Sequence, residues 1–379
     1  MTKKPMDEAL ERALALMDLT PMLDGHNDLA WVIRIDPDAR GSVERYDLTR
    51  RHETGDTDIP RLREGKVGAQ VWPAFVPTDI KDPATATQEQ IDLIRRFHQL
   101  HPDVFLPVST ADDIETAHRQ GKIASILAVE GGVGLENSLA SLPRWYADGV
   151  RLMTLCHNGS LDWVDSATDK PRSGGLSAFG RAVIGELNRL GIVVDCSHVS
   201  PEAAHQVLDI TTAPVAFSHS NAQTLCGSPR NAADDLLHRV RGNDGIVMAT
   251  FIPDFTNEKT RRWMRAVRPL MAGKFGRERV DIIAEHAKSV GPCPEASLED
   301  VADHIEYLAA SIGPTRVGIG SDFYGVPVMP RGLQDVTCYP FLLAELFRRG
   351  WVEDDVANVA GRNFVRVMRA VQRCSDAAK

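Results

Sequence analysis

Short apolar runs rich in Val, Ile and Leu recur along the chain, separated by longer stretches in which apolar residues return every three or four positions. Eight runs stand out: Pro21 to Asp24, Val67 to Phe75, Ile123 to Val129, Val150 to Cys156, Ile192 to Cys196, Val215 to Ser218, Ile246 to Phe251 and Val317 to Gly320. Their continuity, without polar alternation, predicts parallel strands buried on both faces. Helical spacing lies between them, at Gln88 to Leu100, Ala111 to Gln120, Phe179 to Leu190, Pro201 to Leu208 and Leu298 to Ser311. Strand and helix in alternation imply a parallel sheet. Eight units in 379 residues fit a (β/α)8 TIM barrel better than an open doubly wound sheet, although the pattern alone leaves both alive.

Two departures from a minimal barrel are visible. The segment Asn257 to Glu295 exceeds what one crossover needs and predicts extra helix inserted before the eighth strand. After that strand, Gln334 to Arg349 and Glu353 to Arg373 carry helical spacing that would close the barrel and add a C-terminal helix. No internal repeat, low-complexity tract or Gly/Ser linker divides the chain, so a single domain over residues 1–379 is expected.

Composition narrows the partners. A net charge of −9, with no basic cluster interleaved with aromatics, argues against nucleic acid and for a small molecule. Met1 to Thr20 is charged and amphipathic (Lys3, Lys4, Asp7, Glu8, Glu11, Arg12), unlike a secretion signal, and no window is apolar enough for a membrane span. The C-terminal Cys374 to Lys379 has no hydrophobic tail. A cytoplasmic protein without membrane partners is the expectation. Cys156, Cys196, Cys226, Cys293, Cys338 and Cys374 form no CxxC pair and no regular spacing, which predicts reduced thiols rather than a thiolate metal site or a disulfide framework.

Polar residues that carry chemistry concentrate where the predicted strands end, which in a parallel barrel is the active-site face. The first run ends in Asp24-Gly25-His26-Asn27-Asp28, the third is followed by Glu130-Gly131-Gly132, and the fourth by His157. The fifth continues into Ser197-His198, the sixth ends at Ser218 before His219, and the eighth leads into Ser321-Asp322. His26 and Asp28, two apart in an extended segment, point the same way and can share one metal. HxD is a weak motif by itself: His101-Pro102-Asp103 matches it in a loop and is taken as chance. His198 and His219 offer imidazoles for a second ion, and the Glu130 carboxylate can reach both. Taken singly, a strand-end His or Asp is more often a helix cap or a satisfied core residue. Four of the twelve histidines and three carboxylates at successive strand ends shift those odds; His52, His98, His101, His118, His205, His238, His286 and His304 fall in helices or loops and read as surface or packing residues. Nitrogen and oxygen ligands without thiolates suit zinc, and also manganese, cobalt or iron. A pair of such ions suits metal-assisted hydrolysis.

These residues sit in a longer series of motifs. DGHNDLAW spans residues 24–31, VEGG 129–132, GLSAFGRAVIGELNRLGIVVDCSHVS 175–200 and APVAFSHSNA 213–222; PRNAADDLL spans 229–237, GIGSDFYGVP 318–327 and LLAELFRRGW 342–351. In this order they resemble the renal (membrane) dipeptidases, peptidase family M19, within the metal-dependent amidohydrolase superfamily. The resemblance implies a zinc dipeptidase with two Zn2+ per subunit, His26 and Asp28 on one ion, His198 and His219 on the other, and Glu130 bridging. It also implies that His157 contacts the substrate carbonyl or its oxyanion, that Arg230 holds the terminal carboxylate of a small dipeptide, and that Asp322 shuttles the proton. D as well as L residues at the substrate's C-terminus, and a homodimer, belong to the same expectation. A metal-bridging hydroxide attacking the scissile carbonyl would complete the chemistry. The chain departs from the mammalian pattern at two substrate-contacting positions: Phe255 stands in place of a tyrosine, and Tyr324 in place of an aspartate two residues past the shuttle. The rival enzymatic reading is another binuclear amidohydrolase, acting on N-acyl amino acids, cyclic amides or lactones.

Overall fold

The computed structural model describes residues 7–274 and 276–377; Lys3, Lys4 and the last two residues, used above to read the termini, lie outside the described residues. Among the described residues, nine strands form one all-parallel sheet: β1 (Met22–Asp24), β2 (Val67–Phe75), β3 (Phe105–Pro107), β4 (Ile123–Glu130), β5 (Val150–Thr154), β6 (Val193–Asp195), β7 (Ala216–Phe217), β8 (Ile246–Ala249) and β9 (Val317–Ile319). Eight of them close a (β/α)8 barrel, because β1 pairs β9 at Asp24 with Ile319, and β2 pairs β4 from Ala69 with Ala124 to Phe75 with Glu130. These eight coincide with the predicted runs. Every residue of β2 and β4 is buried, the reason those strands read as unbroken apolar sequence.

β3 is the strand that the pattern did not predict. It lies along the first residues of β4, Phe105 opposite Ile123, on the edge that β5 takes over from Leu127 onward. Three residues ending in an exposed proline carry no period to detect.

Helices start where short polar side chains cap them. Ser177, Ser200 and Asp58 accept bonds from the first-turn amides of Ala178–Leu190, Pro201–Ile210 and Ile59–Glu64, and Ser297 with Asp300 forms a capping box on Leu298–Ile312. The long excursion between β8 and β9 is helical, with Glu258–Met264 and Arg277–Val290 on either side of a 3-10 turn at Arg268–Met271. The C-terminal pattern differs from one continuous helix: Glu353–Ala357 and Asn363–Ala377 are separated by a widened turn, Asn358–Arg362. Gly361 explains the break, since a Cβ there would stand 2.3 Å from the Pro21 carbonyl oxygen at the foot of β1. Likewise Gln334 to Arg349 is helical only from Val336, as a 3-10 turn followed by Tyr339–Arg348. Among the described residues no helix is long and apolar enough to cross a membrane.

Candidate metal centre

The barrel's C-terminal mouth holds a cleft of about 610 Å³, lined among others by Asp28, Glu130, His157, His198, Phe255, Asp322 and Tyr324. His219 and His26, almost wholly buried, stand against Glu130 of its lining. Closure of the strands around them requires small residues: a Cβ on Gly320 would meet the Ser218 carbonyl oxygen at 1.7 Å, so glycine lets β7 and β9 approach where the polar side chains turn inward.

Two buried carboxylates tie the strand ends together. Asp24 accepts from the Ser321 amide and hydroxyl, both at 2.7 Å, from Gln70 Nε2 at 2.9 Å and from the Tyr339 hydroxyl at 2.8 Å. Asp195 does the same for β5, β6 and β7, accepting from the Thr154 hydroxyl at 2.6 Å, the Ser218 hydroxyl at 2.7 Å, and the amides of Ser218 at 2.8 Å and Ser197 at 3.1 Å. Neither role was legible as chemistry in the sequence. Both residues end a strand, but their partners come from distant segments.

These braces also set imidazole tautomers. The Ser218 hydroxyl spends its proton on Asp195, so at 2.8 Å from His219 Nδ1 it accepts, which puts the ring proton on Nδ1 and leaves the Nε2 lone pair facing the cleft. Asn158 Oδ1, 3.1 Å from His198 Nδ1, imposes the same tautomer on His198.

Three imidazoles converge on one carboxylate. Glu130 Oε2 is 3.5 Å from His26 Nε2, while Glu130 Oε1 is 3.2 Å from His198 Nε2 and 3.6 Å from His219 Nε2; His26 Nε2 is 3.6 Å from Asp28 Oδ1. Most of these spacings are too long for hydrogen bonds, and His26 Nε2, Asp28 Oδ1 and His219 Nε2 are buried without a hydrogen-bond partner. Buried polar atoms are normally satisfied. Two ligands of one tetrahedral zinc at its usual bond lengths stand roughly 3.4 Å apart, so the spacing and the orphaned atoms fit shared metal ions. Among the described residues, three groups bring ligand atoms within 4.8 Å of one another: His26, Glu130 and His219; Glu130, His157 and His198; and His26, Asp28 and Asp322. Glu130 belongs to two of them, as a bridging residue would, and Asp322 and His157 also stand within reach of ligand positions.

Electrostatics keep two of the three imidazoles in the ligating form. Burial, followed by neighbouring His26 and Arg230, holds His219 well below the ordinary imidazole range; burial, then Arg230, does so for His198. Both are neutral, the ligating form. Burial opposes a charge on His26, yet Glu130 and Asp28 outweigh it and push its pKa up. His157 is pressed down to about 3 by burial and Arg230. Burial lifts Asp322 to about 8, with Asp28 and Glu130 adding to the shift against His26. His198, Asp322 and Tyr324 adopt left-handed φ values of 68°, 63° and 71°. Strain of this kind collects where side chains are aimed for function.

The remaining predicted residues flank this centre. Arg230 is 4% exposed, donates from Nη2 to the His219 carbonyl at 3.3 Å, and has a buried Nε without a partner; its Cζ stands 5.5 Å from the ring centroid of Phe255, which lines the cleft. Tyr324 is locked to the loop after β1: its amide donates to Asp56 Oδ2 at 3.0 Å and its hydroxyl accepts from the Thr57 amide at 2.9 Å. Sequence reasoning missed Trp31, Phe75, Asn158, Arg268 and Arg279, which also line the cleft. Trp31 and Asn158 are near predicted site residues in sequence and could have been found; the two arginines come from the insertion and carried no signal. His304, read as packing, is buried with Nδ1 accepting the Ala222 amide and Nε2 at 2.9 Å from the Thr256 carbonyl.

Comparison with known proteins gives consistent results. The family described as membrane dipeptidase (peptidase family M19) matches residues 10–379. Dipeptidase aclJ of Aspergillus oryzae is 36% identical, over 98% of this chain and 81% of its own length. Among solved structures, the probable dipeptidase PvdM of Pseudomonas aeruginosa superposes with a TM-score of 0.84 at 21% identity, covering 97% of this chain and 99% of that one. A metallopeptidase of Rhodobacter sphaeroides, solved with a phosphinate mimic of the dipeptide L-Ala-D-Ala, does so with 0.76 at 22%, covering 93% and 99%. At such identities the two structures speak for the fold.

Proposed function

Since the chain belongs to the membrane dipeptidase family, peptidase family M19, and is thereby a metallohydrolase of peptide bonds, we propose that it hydrolyses small dipeptides, including L-Xaa-D-Xaa, with two zinc ions held by His26 and Asp28, by His198 and His219, and by Glu130 between them. The observation that carries this reading is the set of buried ligand atoms without a hydrogen-bond partner, His26 Nε2 and His219 Nε2, which face the Glu130 carboxylate, and Asp28 Oδ1, which faces His26 Nε2. The L-Ala-D-Ala mimic held by the Rhodobacter sphaeroides relative supports the stereochemical part.

When bound, the ions supply Lewis acidity, lowering the pKa of a water and polarising the scissile carbonyl. The chain's own residues do the rest. His157, kept neutral by burial and Arg230, is suited to donate a hydrogen bond to the carbonyl oxygen as negative charge develops there, and not to carry a proton at neutral pH. Asp322, whose pKa burial raises, takes the proton from the attacking water and returns it to the leaving amine. Arg230, a buried cation with an unpartnered Nε, binds the substrate's terminal carboxylate and so limits substrates to two residues. Phe255 and Tyr324 shape the side-chain subsites. Assay of zinc-loaded enzyme against L-Xaa-L-Xaa and L-Xaa-D-Xaa libraries tests the reading: both series should turn over, and hydrolysis of N-acyl amino acids or lactones in their place would overturn it.

A further inference from the structure

Asp322 sits on a turn with a strained backbone. Asp322 and Tyr324 both hold left-handed φ values, 63° and 71°, a region that a bulky tyrosine enters only when its surroundings force it. The Gly325 amide closes the turn on the Asp322 carbonyl at 3.0 Å. Toward β1 the turn is held by backbone, from the Asp322 amide to the His26 carbonyl at 3.1 Å and from the Asp28 amide to the Phe323 carbonyl at 3.0 Å. The Asp322 carboxylate comes within 4.8 Å of ligand atoms of His26 and Asp28. Among the described residues no group donates a hydrogen bond to that carboxylate, so the turn sets its direction.

A side chain holds the turn from the segment between β1 and β2. Asp56 Oδ2 accepts the Tyr324 amide at 3.0 Å, and among the described residues this is the one hydrogen bond to the Asp56 carboxylate. The next residue holds the same tyrosine, the Thr57 amide donating to its hydroxyl at 2.9 Å. This segment is itself anchored. The Asp56 carbonyl accepts the Val336 amide at 3.1 Å, and Thr57 Oγ1 accepts from Asn27 Nδ2 at 2.8 Å. Asp58 caps the helix Ile59–Glu64 and pairs with Arg61, whose Nε reaches Asp335 Oδ2 at 3.2 Å. Burial raises the pKa of Asp56 to about 7 against the Tyr324 amide, which lowers it; Asp335 adds to the rise and Arg61 opposes it. Burying a carboxylate with a single donor is unfavourable, and groups kept in such surroundings collect at functional sites.

We propose that Asp56 is a positioning residue for the hydrolysis: its bond to the Tyr324 amide keeps the 322–325 turn closed and the Asp322 carboxylate aimed at the ligand cluster. The proposal rests on the reading of Asp322 as the proton carrier. Proton transfer depends steeply on placement, and a shift of roughly 1 Å in a reacting group costs about a hundredfold in rate.

Asp56→Ala and Asp56→Asn separate this role from simple bracing. Asparagine keeps an acceptor for the Tyr324 amide and resembles the carboxyl in its neutral form, whereas alanine has no acceptor. In zinc-loaded enzyme acting on L-Ala-L-Ala and L-Ala-D-Ala, Asp56→Ala should keep its metal and a KM within about twofold of wild type while kcat falls about ten- to a hundredfold. Asp56→Asn should stay within about threefold of wild type in kcat. A near-normal kcat in Asp56→Ala, even with reduced stability, overturns the proposal, as do equal losses in both variants, a defect confined to KM, or one explained by lost metal. Hydrogen exchange of the 322–325 amides, measured on the same preparations without substrate, separates the two layers of the argument. If the wild type hydrolyses no dipeptide, the dipeptidase reading falls, while exchange at least about tenfold faster in Asp56→Ala than in wild type and Asp56→Asn still establishes that Asp56 holds the turn, and unchanged exchange refutes it.

Discussion

Replacing Asp322 with asparagine isolates proton transfer from every other function of the metal centre. The structure makes this substitution a clean one. Asp322 has φ 63°, a conformation in which asparagine is among the best tolerated residues. Its backbone bonds, from its amide to the His26 carbonyl at 3.1 Å and from the Gly325 amide to its own carbonyl at 3.0 Å, do not involve the side chain. Burial, with Asp28 and Glu130 against His26, raises the carboxyl to about 8, so the metal-free protein already holds it mostly neutral at pH 7 and a neutral amide of the same size should cost little stability. What is lost is the group to which the proposed mechanism gives the proton transfer. General acid–base groups contribute about 10²- to 10⁴-fold, roughly 2.7 to 5.5 kcal/mol of barrier. Asp322→Asn is therefore expected to keep its metal and near-normal KM while kcat falls by that factor. Metal analysis and kinetics on one preparation decide. Loss of an ion would make Asp322 a ligand, in line with its closeness to His26 and Asp28, and a kcat within about threefold of wild type would make it a bystander. His157, at about 3, is a poor substitute carrier, so either result would refute the proton path.

Other perturbations probe separate parts of the account. Dipeptide amides should be poor substrates because Arg230 would lose its partner, and Arg230→Ala should lower kcat/KM for the free acid by about 2 to 5 kcal/mol; equal hydrolysis of acid and amide would make the arginine structural. Asp24→Ala leaves the Ser321 amide and hydroxyl, Gln70 Nε2 and the Tyr339 hydroxyl without their acceptor. It should cost about 4 kcal/mol or more in urea unfolding, and a loss below about 1 kcal/mol would contradict the bracing role. His98, whose ring Nε2 is 2.7 Å from the Ser125 hydroxyl, is pushed by burial from the ordinary 6.5 down to about 4. Because the unfolded chain protonates first, stability is complete above 6.5 and declines as pH falls toward 4; relative to His98→Gln, the wild type should lose about 2 kcal/mol between pH 7 and pH 5, and parallel pH profiles would refute the shift.

How much of this was legible in the sequence follows from which interactions are local. The eight barrel strands could be read because burial on both faces leaves continuous apolar runs, as in Val67–Phe75 and Ile123–Glu130. Phe105–Pro107 was too short to show a period, and the break at Gly361 depends on a close approach to Pro21 from the far end of the chain. The candidate ligands were recognisable because a parallel barrel gathers all strand ends at one mouth, so His26, Asp28, Glu130, His198 and His219 needed only strand boundaries to be placed together. The supporting groups needed tertiary partners that no spacing reveals: Asp24 is bound by Tyr339, and Asp195 sets the His219 tautomer through Ser218. Arg268 and Arg279 were out of reach for a different reason. Helical periodicity predicts that an insertion is helical, but not where over the barrel it folds.

The central claim is a pair of ions joined by Glu130, and metal content measured alongside dipeptide hydrolysis in wild type and Glu130→Ala tests it most directly. Two ions per chain in the wild type, with loss of at least one ion and of activity in Glu130→Ala, is the expected result. A fully active wild type holding one ion, unchanged in Glu130→Ala, would contradict the account.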